Sequence, residues 1–227
     1  MVSMKHTVRK TRPERRHEIV RAAFRIIGER GLTSLTTATL AAEVGVTTGA
    51  LYRHFASLDE ILIEAVRHGV AKIEETFPDP ALPPIERLLA LARKRVRLLG
   101  DDPGLVWLLR SEQAYLALPP NAVRLLRGVV RRSREFLLGT LRDGAADGSI
   151  RNDIEPELLL VPVVATIHAV IRPHDPPRGP SRDAPPDPER VLLVLARLLE
   201  PSGAASPAGS RSPRSRSRTI VRKETVR

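Results

Sequence analysis

The chain has 227 residues, no cysteine and a formal net charge of +11, a length suited to one small and one medium domain with interior enough for a core. Without cysteine there are no disulfides, thiolate metal sites or cysteine nucleophiles. No segment approaches the roughly 18 uninterrupted apolar residues of a membrane span, so the expectation is a soluble cytoplasmic protein with no membrane partner. The charge is concentrated at the ends: residues 1–16 carry +5, residues 204–227 carry +6, and the rest is neutral overall. Residues 1–12 read as a basic flexible arm able to follow phosphates or enter a minor groove, with plain solvation as the alternative. The Arg/Ser-rich stretch 202–227 has the composition of a disordered tail.

Taken in chain order, Pro13 suits the first turn of a helix running to about Arg30, with Val20, Ala23, Phe24 and Ile27 on one face and Gly31 after its end. Leu35 and Leu40 then straddle Thr36 as a hydrophobic staple around an N-cap. Leu40, Ala41 and Val44 form the apolar face of a short second helix, Gly45 supplies its left-handed stop, and Val46 plugs the corner. Thr47 caps a third helix in which Leu51 and Phe55 face inward while Thr48, Gly49, Tyr52 and Arg53 face out. Ser57 and Glu60 make a capping box that opens a fourth helix, with Leu58, Ile61, Leu62, Ala65, Val66 and Ile73 at helical spacing, ended by Pro78 and Pro80. His68 and Lys72 fall on what reads as its solvated face.

Further helices are predicted over 85–99, 103–117, 120–146 and 156–171, separated by Pro- and Gly-containing punctuation. A Pro-rich loop over 172–188 precedes a last, leucine-rich helix over 189–200. The fold class is all-α: a three-helix helix-turn-helix domain over 13–56, a connecting helix over 57–77, and a helical bundle over 78–201.

The third helix has the composition of a DNA reader. Small residues at Gly49 and Ala50 let a backbone approach base edges, and an alanine methyl can meet a thymine methyl. The hydroxyls of Thr47 and Thr48 suit base edges or phosphate, Tyr52 and His54 suit phosphates at the flank, and Arg53 can read guanine bidentately or sit on the backbone. The competing reading is a small helical hairpin whose Tyr52 and Arg53 are merely solvated.

The strings Leu35-Thr36-Thr37, Leu40-Ala41, Gly45-Val46 and Leu51-Tyr52-Arg53-His54-Phe55, followed by Ile61-Leu62 and Ala65-Val66, resemble the N-terminal domain of TetR/AcrR-type transcriptional regulators over about residues 13–72. The resemblance implies an all-helical homodimer in which a small molecule bound in the C-terminal domain releases operator DNA. Position by position, it implies DNA contacts at Thr37, Thr47, Thr48, Gly49, Ala50, Tyr52, Arg53 and His54. Where the family usually has a lysine shortly after the His-Phe pair, this chain has Leu58, which implies one phosphate contact fewer. The apolar stripe Val191, Leu192, Leu195, Leu198 and Leu199 on the last helix needs cover from more than one side. In the resembling family the last two helices form a four-helix dimer interface; an intrachain core helix is the alternative.

Within the second domain, Trp107, Arg110, Gln113, Tyr115 and His168 interrupt apolar faces and are the candidates for orienting an effector. Ordinary packing is the competing reading for Trp107, Tyr115 and His168, and Pro162 should kink the helix that carries His168. Aromatic residues make up only 3% of the chain, which favours an aliphatic or mixed apolar effector. No Gly-rich phosphate loop, metal-spaced cluster or nucleophile elbow occurs, so no cofactor, metal or catalysis is expected. The expected partners are double-stranded operator DNA, a second copy of the chain and an unidentified small molecule. The rival is a DNA-binding protein of the same fold that acts architecturally or through a protein partner; an apolar cavity in the second domain separates the two.

Overall fold

The computed structural model describes residues 10–171 and 186–201. The expectations for most of the basic arm, for most of the Pro-rich loop and for the Arg/Ser-rich tail therefore lie outside the described residues. Among those described, every element is helical.

Helix α1, Arg12–Arg30, starts at Thr11, which forms a full capping box with Glu14. Its buried surface is broader than the predicted stripe, because Ile19, Ala22 and Ile26 are covered as well. The reason is tertiary: α1 is packed by α2 and α4 and also by α6 from the second domain. After a 3-10 turn over Leu32–Ser34 come α2, Thr37–Val44, and α3, Thr48–Tyr52. Helix α4, Leu58–Glu74, buries Ile61, Leu62, Ala65, Val66, Val70 and Ile73 and runs from the first three helices into the bundle. Leu58, at its start, is half-buried against the core.

The second domain contains α5 (Pro84–Asp101), α6 (Pro103–Arg110), α7 (Glu112–Ala117), α8 (Pro120–Asp147), α9 (Pro156–Val170) and α10 (Pro188–Leu199). Helix α8, 28 residues long, is the spine, touching α4, α5 and α9.

The single helix predicted over 103–117 is in fact two. Ser111 is extended at φ −88°, ψ 123°, and its N–H donates to the Trp107 carbonyl to close α6. Leu108 and Ala114 are both buried; six residues apart on one straight helix they would point about 120° apart, and the break lets both reach the core. No glycine or proline marks this break. At Pro162 α9 continues as helix; Pro162 and Leu158, whose carbonyl loses its partner, are both exposed, so water can take the place of the missing N–H.

His68 and Lys72 are a second correction. Both are half-buried, because the side of α4 that carries them faces α1 and the start of α6. The His68 ring stands edge-on to His17 at 4.9 Å, and Lys72 Nζ lies 3.2 Å from the Asp102 carboxylate. At this seam α6 approaches α1 backbone to backbone. A Cβ added at Gly104 would lie 2.6 Å from the Phe24 carbonyl oxygen, and one at Gly28 would lie 2.7 Å from the Gly104 nitrogen.

Candidate nucleic-acid interface and ligand cavity

The two-helix reader is fixed by local chemistry. Thr36 Oγ1 accepts the Thr39 N–H at 3.1 Å, and Thr39 Oγ1 accepts the Thr36 N–H at 2.9 Å, a reciprocal box at the start of α2. Removing such a cap costs about 0.5–2 kcal/mol. Leu35 and Leu40 are buried on either side of it. At the other end Gly45 is left-handed, φ 71°, ψ 38°. The Val46 N–H reaches the Ala41 carbonyl at 2.9 Å and the Gly45 N–H reaches Ala42 at 3.2 Å, the paired bonds of a Schellman stop. Thr47 Oγ1 then accepts the Ala50 N–H at 3.1 Å.

Leu51 and Phe55 are fully buried and anchor α3 to the core. Thr47, Thr48, Gly49, Tyr52 and Arg53 are exposed, whereas Thr37, Ala50 and His54 are half-buried. Five of the eight reader residues are thus open to solvent and the other three partly so. A Cβ at Gly49 would meet no atom within 4 Å, so nothing in the chain itself requires that position to be small.

Arg16, which the sequence places among the basic residues of the N-terminal segment, folds inward instead. Its guanidinium carbon lies 3.9 Å from the Phe55 ring centroid, and it donates to the His54 carbonyl and to Glu60 at 3.1 Å. Glu60 also accepts the Ala56 N–H at 2.6 Å, and that bond is the main cause holding its carboxyl below the ordinary range. Arg16 thus ties α1 to the end of α3 and the start of α4, a role that no local motif announces. Lys10 and Arg15 both pair with Glu18. His54 has a depressed pKa, first from burial and then from Arg12, Arg15, Arg16 and Arg53 around it. Its imidazole is neutral near pH 7 and reports a concentrated positive field at the flank of α3.

In the second domain a cavity of about 240 Å3 lies between α5, α8 and α9, with residues of α6 and α7 also in its wall; it opens to solvent past the exposed Val130, Arg134 and His168. Of the five sequence candidates, Tyr115 and His168 line it. Trp107 is half-buried against the core, and Arg110 and Gln113 are exposed and do not line the cavity. His168 is still reached by solvent, yet burial of the ring, together with Arg110 and Arg95, lowers its pKa. The polar lining residues that sequence reasoning missed are Arg95, Ser133 and Arg134. Among the described residues no cluster of His, Asp and Glu is arranged to hold a metal, and no helix is long and apolar enough to cross a membrane.

A capped helix, a left-handed glycine turn and a short second helix that buries two anchors and displays its other side define a helix-turn-helix DNA-binding regulator. The model for bacterial regulatory proteins of the tetR family matches residues 19–65. The transcriptional repressor KstR2 of Mycolicibacterium smegmatis is 24% identical over 192 residues, covering 83% of this chain and 93% of that protein. Among solved structures, KstR2 of Mycobacterium tuberculosis superposes with a TM-score of 0.69 at 23% identity, over 82% of this chain and 95% of the other. AibR, in complex with isovaleryl coenzyme A and operator DNA, gives 0.67 at 19% identity, over 82% and 97%. Residues 19–65 thus carry the segment shared by the tetR family of bacterial regulatory proteins, and along most of its length the chain is similar to a transcriptional repressor.

Proposed function

We propose that the protein is a homodimeric repressor released from its operator when a small molecule enters the cavity between α5, α8 and α9. The observation that carries this reading is the outer face of α3. Gly49 is small without an internal reason to be, hydroxyls and Arg53 flank it, and Arg12 and Arg53 beside His54 supply phosphate attraction. The DNA-contacting set is Thr37, Thr47, Thr48, Gly49, Ala50, Tyr52, Arg53 and His54. Residues 13–56 act as reader, 57–77 as connector and 78–201 as effector and dimerisation domain. The cavity favours a small-molecule effector over a purely architectural role, and AibR, of the same fold, was solved with both an acyl-coenzyme A and DNA.

The second copy docks on α9 and α10. Leu158, Val161, Leu193, Val194 and Leu198 leave 51% to 65% of their surfaces in water, a contiguous apolar cost that pairing removes. Two readers so paired meet half-sites about 34–36 Å apart. Helix α6 links the two functions, since Leu109 lines the cavity and Gly104 abuts α1.

The test is a salt-titrated shift assay on promoter fragments recovered by genomic footprinting with the purified protein. Tyr52→Ala and Arg53→Ala should each weaken operator binding by about 1–3 kcal/mol while leaving the melting temperature unchanged. Unaltered affinity in both would remove the assignment of this face.

A further inference from the structure

Arg95 occupies an apolar position. It continues the row Leu88, Leu91 and Leu99 on the inner face of α5, where a hydrocarbon side chain would complete the stripe. Its Nε donates to Thr76 Oγ1 and its Nη2 to Ser133 Oγ at 3.1 Å. Both hydroxyls pass their own protons to backbone carbonyls, Thr76 to Ile73 at 2.5 Å and Ser133 to Val129 at 2.7 Å, so both are fixed as acceptors for Arg95. The Phe77 ring centroid lies 5.2 Å from the guanidinium carbon. These contacts aim the group without neutralising it, and no carboxylate pairs with Arg95 among the described residues. Arg87, similarly enclosed, has Asp143 at 2.8 Å.

Loss of solvation draws the Arg95 pKa down to about 10, which still leaves it charged at neutral pH. Arg95 is partly buried, and a cation withdrawn from water without a counter-charge is costly unless something external completes it. Arg95 lines the cavity, and the surfaces facing it from Leu91, Leu109, Leu137, Val164 and Ile167 are hydrocarbon. A guanidinium uses five donors in a planar fork, and only two are engaged here. The free part of that fork matches the two oxygens of a carboxylate.

We propose that the effector is a compact apolar carboxylic acid, its carboxylate bound by Arg95 and its hydrocarbon body held by Leu91, Leu137 and Ile167. This rests on the ligand-release reading above and gives that ligand its chemical class. Thr76 and Ser133 are positioning residues. A coenzyme A thioester is the other source of an acyl group, but its acyl carbonyl is neutral and its anionic phosphates belong to a headgroup too large for a cavity of about 240 Å3.

Isothermal titration of the full-length protein, without DNA, decides between them. The probes are straight and branched acids from butanoate to decanoate, their amides, and octanoyl coenzyme A; the proteins are wild type, Arg95→Gln and Arg95→Lys. At least one acid should bind about tenfold or more tightly than its amide. That preference should collapse in Arg95→Gln and survive in part in Arg95→Lys. If Arg95→Gln does not fold, the wild-type acid-to-amide ratio and the lysine variant carry the test. Equal binding of acids and amides, no binding by any acid, or octanoyl coenzyme A binding more tightly than every free acid would overturn the proposal. A shift assay on operator DNA keeps the two readings apart. Arg95-dependent acid binding without release upholds the acid and overturns ligand release; absent acid binding with intact operator binding overturns the acid alone.

Discussion

Replacing Gly104 with alanine tests whether the seam between α1 and α6 sets the position of the reader. The new Cβ would lie 2.6 Å from the Phe24 carbonyl oxygen and 2.7 Å from Phe24 Cδ1. The ring can swing aside, but the carbonyl belongs to the backbone of a buried helix and cannot. Reaching the ordinary contact distance of 3.4 Å requires α6 to move off α1 by about 0.8 Å, the difference between the two distances, in a core that resists such strain. Overpacking of this kind costs about 1–3 kcal/mol. The helix-propensity gain of alanine over glycine, at most about 1 kcal/mol, is smaller still in a first turn. The net loss of about 1–2 kcal/mol should lower the melting temperature by roughly 2–8 °C. Because α6 also carries Leu109 into the cavity wall, its displacement should mimic part of the liganded state and weaken operator binding without effector by about fivefold or more. Thermal scans and a shift assay read the two effects. A variant that matches wild type in both would refute the claim that this contact holds α1 and α6 in register.

Gly49→Ala is the counterpart, since the same substitution there meets open space. Its melting temperature should hold or rise slightly, while operator affinity falls because the methyl keeps α3 off the bases; retained affinity would show that this face is not apposed to DNA. The third prediction concerns pH. His54, His68 and His168 all have pKa values below the ordinary 6.5, each primarily through burial. The unfolded chain therefore binds protons first, so stability should fall as pH drops below about 6.5 and level off once the folded-state values are passed. Urea midpoints between pH 7.5 and 5.5 read this, and His68→Gln, which removes a half-buried ring whose Nε2 has no partner, should flatten the dependence. A midpoint constant across that range would count against neutral buried histidines.

The reader was legible from sequence because its determinants are local. Thr36, Gly45 and Thr47 act on neighbours no more than five residues away; Leu51 and Phe55 both reach the core as expected, although α3 ends at Tyr52 and Phe55 lies just beyond it. Family resemblance then supplied the class. What escaped was decided by contacts between distant segments. Arg95 hides among Arg93, Lys94 and Arg97, and only the row Leu88, Leu91, Leu99 shows that it points inward. Trp107 is the largest side chain in its region, yet it packs against the core rather than in the cavity. The role of Arg16 depends on Glu60, forty-four residues away, and the pairing of Gly28 with Gly104 spans a still longer interval. A basic residue on an apolar row is the signal that would have found Arg95.

The shortness of α3, five residues, has an evolutionary consequence. Its conformation is owned by Leu51 and Phe55, buried in the core, while Thr48, Gly49, Tyr52 and Arg53 face solvent. Target preference can therefore drift by exchange at four outward positions with the scaffold untouched, which lets one architecture be reassigned to new promoters.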